Sequence, residues 1–83
     1  MLITLKLYAS LAQYLPTGAK RNQTELDIAE GTSLQDLITT HHIPEQSAHL
    51  VLINGVYVAP DKRASARLNQ GDIVVMFPPV AGG

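Results

Sequence analysis

The sequence predicts an α+β domain in which one main helix lies across one face of a single sheet. Three observations predict it. Apolar residues alternate with polar ones near the amino terminus and again around Leu26; one capped helical stripe occupies the middle of the chain; and two short apolar runs flank Asn54-Gly55. At 83 residues the chain is sized for one small domain with a thin core.

Each element follows from a local pattern. In "LITLKLY", Ile3, Leu5 and Leu7 share one face and Thr4, Lys6 and Tyr8 the other, as in a strand covered on one side. Ser10 to Leu15 suit a short helical turn stopped by Pro16 and Gly18, and "AKRNQ" reads as a loop. "TELDIAEG" alternates again, with Leu26 and Ile28 on one face, and pairs plausibly with the first strand as a hairpin. Ser33 is placed to cap a helix, with Asp36 at its third position and Leu34, Leu37 and Ile38 as its apolar stripe. His41 or His42, then Ile43-Pro44, ends it. Asn54-Gly55 is a strong signal for a type I′ turn, which needs φ > 0 at both positions. A turn at Gly71-Asp72 then leads into a last strand, Ile73 to Phe77. That strand is apolar at every position. Either neighbours shield both its faces, or one face stays open as an apolar partner surface.

Composition excludes several classes of function. Hydrophobic residues are 46% and charged residues 16%, a globular balance, and the net charge of -1 lacks the basic excess of a nucleic-acid binder. With no cysteine, disulfides, thiol catalysis and thiolate metal sites are absent. No apolar run reaches the length of a membrane span, and the alternating amino terminus does not read as a signal peptide, so a cytoplasmic location is expected.

The chain ends "FPPVAGG". Pro78-Pro79 favours an extended path away from the body, and residues 78–83 form an expected flexible tail on a domain of residues 1–77. Six extended residues span roughly 20 Å, enough to reach into another protein's active site. Gly82 and Gly83 lack β-carbons and suit a narrow channel. The tail's reactive group is the Gly83 carboxylate, which is ionised at neutral pH and a poor electrophile until activated. The chain has no GxxxxGK[ST] phosphate loop, so activation must come from elsewhere.

The order of elements, "LVLINGVYV", "LNQGDIVVMFPPV" and the terminal "AGG" resemble the MoaD/ThiS family of ubiquitin-like sulfur carriers, most closely the small subunits of molybdopterin synthase. The resemblance spans the chain and is densest from Gly71 to Gly83. It implies a β-grasp fold, with a mixed sheet of about four to five strands. It also implies a cycle in which Gly83 carries an adenylate and then a thiocarboxylate, Gly82 gives access, and Phe77, Pro78, Pro79, Val80 and Ala81 dock against partners. By the same resemblance the chain binds no cofactor and no metal and is not catalytic alone. ATP and Mg belong to a ubiquitin-activating-like adenylyltransferase, a further protein donates sulfur, and the large synthase subunit receives the tail. The chain is then a monomer by itself and part of a hetero-oligomer in complex. Carriage of sulfur for thiamine or another metabolite, ligation to lysines as a protein modifier, and a binding module with an idle tail are the alternatives.

Other polar residues carry less. His41 and His42 are adjacent on a helix and diverge by about 100°, so they do not converge on a metal. Lys62, Arg63 and Arg67, with Asp61, read as a solvated basic loop. Lys6, Lys20 and Lys62 have no context that marks them as conjugation sites, and Ser10, Ser33, Ser47 and Ser65 lack a nucleophile elbow.

Overall fold

The computed structural model describes residues 1–80. Five strands and one helix follow in the expected order: β1 (Leu2–Leu7), β2 (Gln23–Asp27), α1 (Leu34–Thr40), β3 (Leu50–Ile53), β4 (Val56–Tyr57) and β5 (Ile73–Phe77). The sheet order is β2-β1-β5-β3-β4. β1 and β5 run parallel at the centre, with Leu5 opposite Val74 and Leu7 opposite Met76; the other pairs are antiparallel. The inward residues of β1, Ile3, Leu5 and Leu7, are buried against Leu34, Leu37 and Ile38 of the helix in one core cluster.

The helix starts where expected. The Ser33 hydroxyl accepts from the Asp36 amide at 3.0 Å, and the Asp36 carboxylate accepts from the Ser33 amide at 3.0 Å, a reciprocal capping box. Two further amides of the first turn, free in any isolated helix, donate to the distant segment 60–68: Leu34 to the Ala66 carbonyl and Gln35 to the Arg63 carbonyl. At the other end His41 caps, its Nδ1 3.1 Å from the Leu37 carbonyl, and His42 adopts φ +59° before Ile43-Pro44.

Segment 60–68 corrects one expectation. Pro60–Lys62 form a 3-10 turn, and Arg63 is 3% exposed, not solvated. Its Nε lies 3.5 Å from the Val58 carbonyl, at the limit of a hydrogen bond. The basic run looked like a surface loop because sequence spacing does not show the chain folding back onto the start of α1. Arg67 is exposed and donates to the Gly31 carbonyl at 2.8 Å.

Two tight turns, the β3–β4 hairpin turn and the one that leads into β2, pass through left-handed backbone. Asn54 (φ +51°) and Gly55 (φ +83°) form the expected turn between β3 and β4. The stretch "AKRNQ" is tighter than the loop expected: Lys20 and Gln23 exchange backbone hydrogen bonds around Arg21 (φ +53°) and Asn22 (φ +66°). Asn tolerates this region, whereas Arg pays about 1 kcal/mol for it. The short turn near Ser10 is a 3-10 helix, Ala9–Tyr14, with Leu11 buried.

A polar latch joins the β3–β4 turn to the start of β5. Asn54 Nδ2 donates to Asp72 Oδ1 at 2.9 Å, the Ile73 amide donates to Asn54 Oδ1 at 2.9 Å, and the Asn69 amide donates to Asp72 Oδ2 at 2.8 Å. Asp72 is buried, so removing its carboxylate strands two donors, the Asn54 side-chain amide and the Asn69 backbone amide.

Two outcomes follow. Asp72→Ala is expected to lose about 1–3 kcal/mol of unfolding free energy, read from the urea midpoint at constant m-value. The Ser33 amide and hydroxyl, with a smaller pull from Arg67, hold the Asp36 carboxyl below its ordinary 3.8 against weak desolvation. Its folded value is lowered, so its stabilisation is complete above 3.8 and fades as pH falls through the lowered value. Asp36→Asn is therefore expected to be less stable than wild type at pH 6, with the gap closing in acid below pH 3.8.

Candidate functional site

The site is the root of the tail and the sheet face beside it. Phe77 ends β5, its carbonyl accepting from the His49 amide at 3.1 Å, while the Tyr8 amide donates to the Met76 carbonyl at 3.2 Å. Backbone bonds from both flanks thus hold the last residues of β5. The Tyr8 and Phe77 rings stack, with centroids 4.9 Å apart and planes at 9°. Beyond them Pro78 is half-buried, Pro79 is exposed and Val80 is 79% exposed. Ala81, Gly82 and Gly83 lie outside the described residues.

The helix covers one face of the sheet, and the other stays open. The two readings of the all-apolar last strand resolve together. β5 is central, with β1 and β3 as neighbours, yet Val74 and Met76 are fully buried while Ile73, Val75 and Phe77 are partly exposed. Cross-strand register extends this face, placing Leu50 opposite Phe77, Leu52 opposite Val75 and Tyr57 opposite Leu52. Leu50 (38%), Ile73 (40%) and Tyr57 (52%) are exposed. A contiguous apolar plate therefore borders the point where the tail leaves, in the manner of partner surfaces.

The sequence marked Phe77 and the prolines but not Tyr8, Leu50, Leu52, Val75 or Tyr57 as their companions. Alternation in "LITLKLY" had already set Tyr8 on the outer face; that it meets Phe77 depends on the parallel pairing of β1 with β5. An open cleft of about 480 Å³, lined by Met1, Glu30, Gly31, Arg67 and residues 68–70, sits at the opposite end of the sheet from the tail. Among the described residues no three His, Asp or Glu side chains gather to hold a metal, and no helix is long and apolar enough to cross a membrane. What the described residues present is a hydrophobic plate and a strand end that leads out to exposed Pro79 and Val80.

Comparison with known proteins decides the family, since the ThiS family pattern matches residues 5–83. The chain belongs to the ThiS family. It is thus a sulfur carrier of the ThiS/MoaD type, and the five-stranded mixed sheet with one helix is the β-grasp fold of that group. Among solved structures, the ThiS-family chain is similar to SAMP1 from Haloferax volcanii, with 25% identity, a TM-score of 0.68 and 100% of each chain covered. It is equally similar to a putative molybdopterin converting factor, subunit 1, from Pyrococcus furiosus, with 25% identity, a TM-score of 0.68, and 95% of this chain and 98% of that one covered. At 16% identity and a TM-score of 0.62, over 100% of each chain, it shares its fold with a chain in a complex of subunits 1 and 2 of the molybdopterin-converting factor from Helicobacter pylori. No curated protein sequence matches it.

The stack gives a direct test. In a double-mutant cycle of Tyr8→Ala and Phe77→Ala, a coupling of about 0.5–1.5 kcal/mol is expected in unfolding free energy. Additivity within about 0.3 kcal/mol would show that the two rings contribute independently.

Proposed function

We propose that this protein is the small subunit of a molybdopterin synthase, carrying sulfur as a thiocarboxylate on Gly83 for transfer to a pterin precursor. The observation that carries the reading is the "FPPVAGG" ending on a strand whose root is clamped beside an open apolar plate. The likeness to a putative molybdopterin converting factor subunit 1 at 25% identity supports the pterin recipient. The pairing of subunits 1 and 2 in the Helicobacter pylori complex suggests a large-subunit partner for the plate.

In this reading residues 1–77 are the handle and 78–83 the delivery arm. The Gly83 carboxylate attacks the α-phosphorus of ATP held with Mg by an adenylating partner, and pyrophosphate leaves. Hydrosulfide supplied by a donor protein then displaces AMP at the acyl carbon, and loss of a proton leaves the thiocarboxylate. The large subunit takes the tail, and the thiocarboxylate sulfur attacks a carbon of the pterin precursor and displaces an oxygen leaving group from it. Water hydrolyses the resulting thioester, returning the Gly83 carboxylate and leaving sulfur on the pterin. Phe77, Pro78, Pro79, Val80 and Ala81 dock the arm, and Gly82 lets its backbone through a narrow channel. The chain supplies binding and positioning; tethering holds the reactive sulfur at high effective concentration inside a closed site. Partners and carrier meet in the cytoplasm.

A second reading, a protein modifier joined through Gly83 to lysines, is favoured by the likeness to SAMP1, the small archaeal modifier protein 1 of Haloferax volcanii, over the full length of both chains. Sulfur carriage for thiamine is the nearest variant of the first.

Mass spectrometry after incubation with the adenylating enzyme of the same organism, ATP-Mg and a sulfur donor is expected to show a gain of about 16 Da, oxygen replaced by sulfur. An unchanged mass overturns the carrier reading. Deleting Gly82 and Gly83 is expected to abolish the gain with the melting curve unchanged. Co-purification with a large synthase subunit selects the pterin recipient, whereas high-mass adducts lost with Gly83 select the modifier.

A further inference from the structure

The tight turn Lys20–Gln23, which leads into β2, brings together a left-handed backbone and a group of cations. Arg21 is exposed and sits at φ +53°, in a two-residue turn where Asn or Gly is the residue of least strain. Lys20 beside it is exposed, and Lys6, opposite Gln23, projects from the same end of the open sheet face. Among the described residues none of the three forms an ion pair; the amino terminus with Asp27 is the pair formed, at the far end of β2. Glu25 is the nearest acidic residue by register, diagonal to Lys6 and some 7–8 Å away across the strands.

Position gives the turn its meaning. The Asn22 carbonyl accepts from the Leu7 amide at 2.9 Å, and the next residue, Tyr8, bonds to Met76 and stacks on Phe77. The cations therefore stand one strand away from the root of the tail, at the end from which it leaves. Backbone bonds in both directions between Lys20 and Gln23 fix the turn that displays them. Exposed Ala9 and His42 share the left-handed backbone, so what sets this turn apart is the charge it displays.

We propose that Lys6, Lys20 and Arg21 form a docking tip for an acidic rim around the tail-receiving opening of the adenylating partner. The tip steers the encounter so that the plate lands with the tail directed inward. The proposal rests on the carrier reading and adds to it the chemistry of the surface that receives the tail.

The test measures association with the adenylating enzyme of the same organism by stopped flow at low and high salt. Lys20→Glu/Arg21→Glu is expected to associate about tenfold or more slowly at low salt and to lose most of the wild-type salt dependence, with turnover at saturating carrier unchanged. Arg21→Asn removes the strain along with the charge. It is expected to melt a few degrees higher than wild type and yet associate several-fold more slowly. Circular dichroism confirms that each variant is folded. A reversal variant that associates at the wild-type rate, or faster, overturns the docking tip while leaving the carrier reading intact. A wild-type chain that is not adenylated at any concentration overturns both.

Discussion

The parallel pairing of β1 with β5 is the constraint on which the rest of the molecule depends. It joins the two ends of the chain at the centre of the sheet, with Leu5, Leu7, Val74 and Met76 buried beneath the helix. Because the strands run in the same direction, both finish at one end of the molecule. That places Tyr8 beside Phe77 and sends the chain beyond Phe77 out past a firm edge. An antiparallel pairing with the same residues would bury the same area and point the tail at the opposite pole, away from the aromatic stack.

Two polar assemblies keep that arrangement from sliding. The Asn54–Asp72 latch sets where β5 begins relative to the β3–β4 turn, and a shift of one residue would exchange the buried Val74 and Met76 for Ile73, Val75 and Phe77. Segment 60–68 supplies carbonyls to the first turn of α1 and so ties the helix to the chain between β4 and β5 through groups that a seven-residue helix leaves open. Neither device is apolar. In a chain this short the hydrophobic core is thin, and directional bonds carry much of the specification of a single register.

The same economy shapes the surface. One helix covers one face, so the other presents Leu50, Leu52, Tyr57, Ile73, Val75 and Phe77, an area that a lone domain has no means to hide. The tail root lies at the border of this plate, and the cationic turn that leads into β2 flanks it.

Much of this was legible in the amino-acid order alone. Alternation in "LITLKLY", the Ser33–Asp36 capping box, the Asn54-Gly55 turn and the terminal "FPPVAGG" are local signals. Each reflects sterics or hydrogen bonding among residues a few positions apart, so they determined the elements and their order. The burial of Arg63, the meeting of Tyr8 with Phe77, the composition of the open plate and the turn that places Arg21 in left-handed backbone were decided by the tertiary structure. They depend on which strands become neighbours and in which direction, and on where segment 60–68 folds back. Those outcomes come from contacts between residues far apart in the chain, for which spacing along the sequence carries no physical signal.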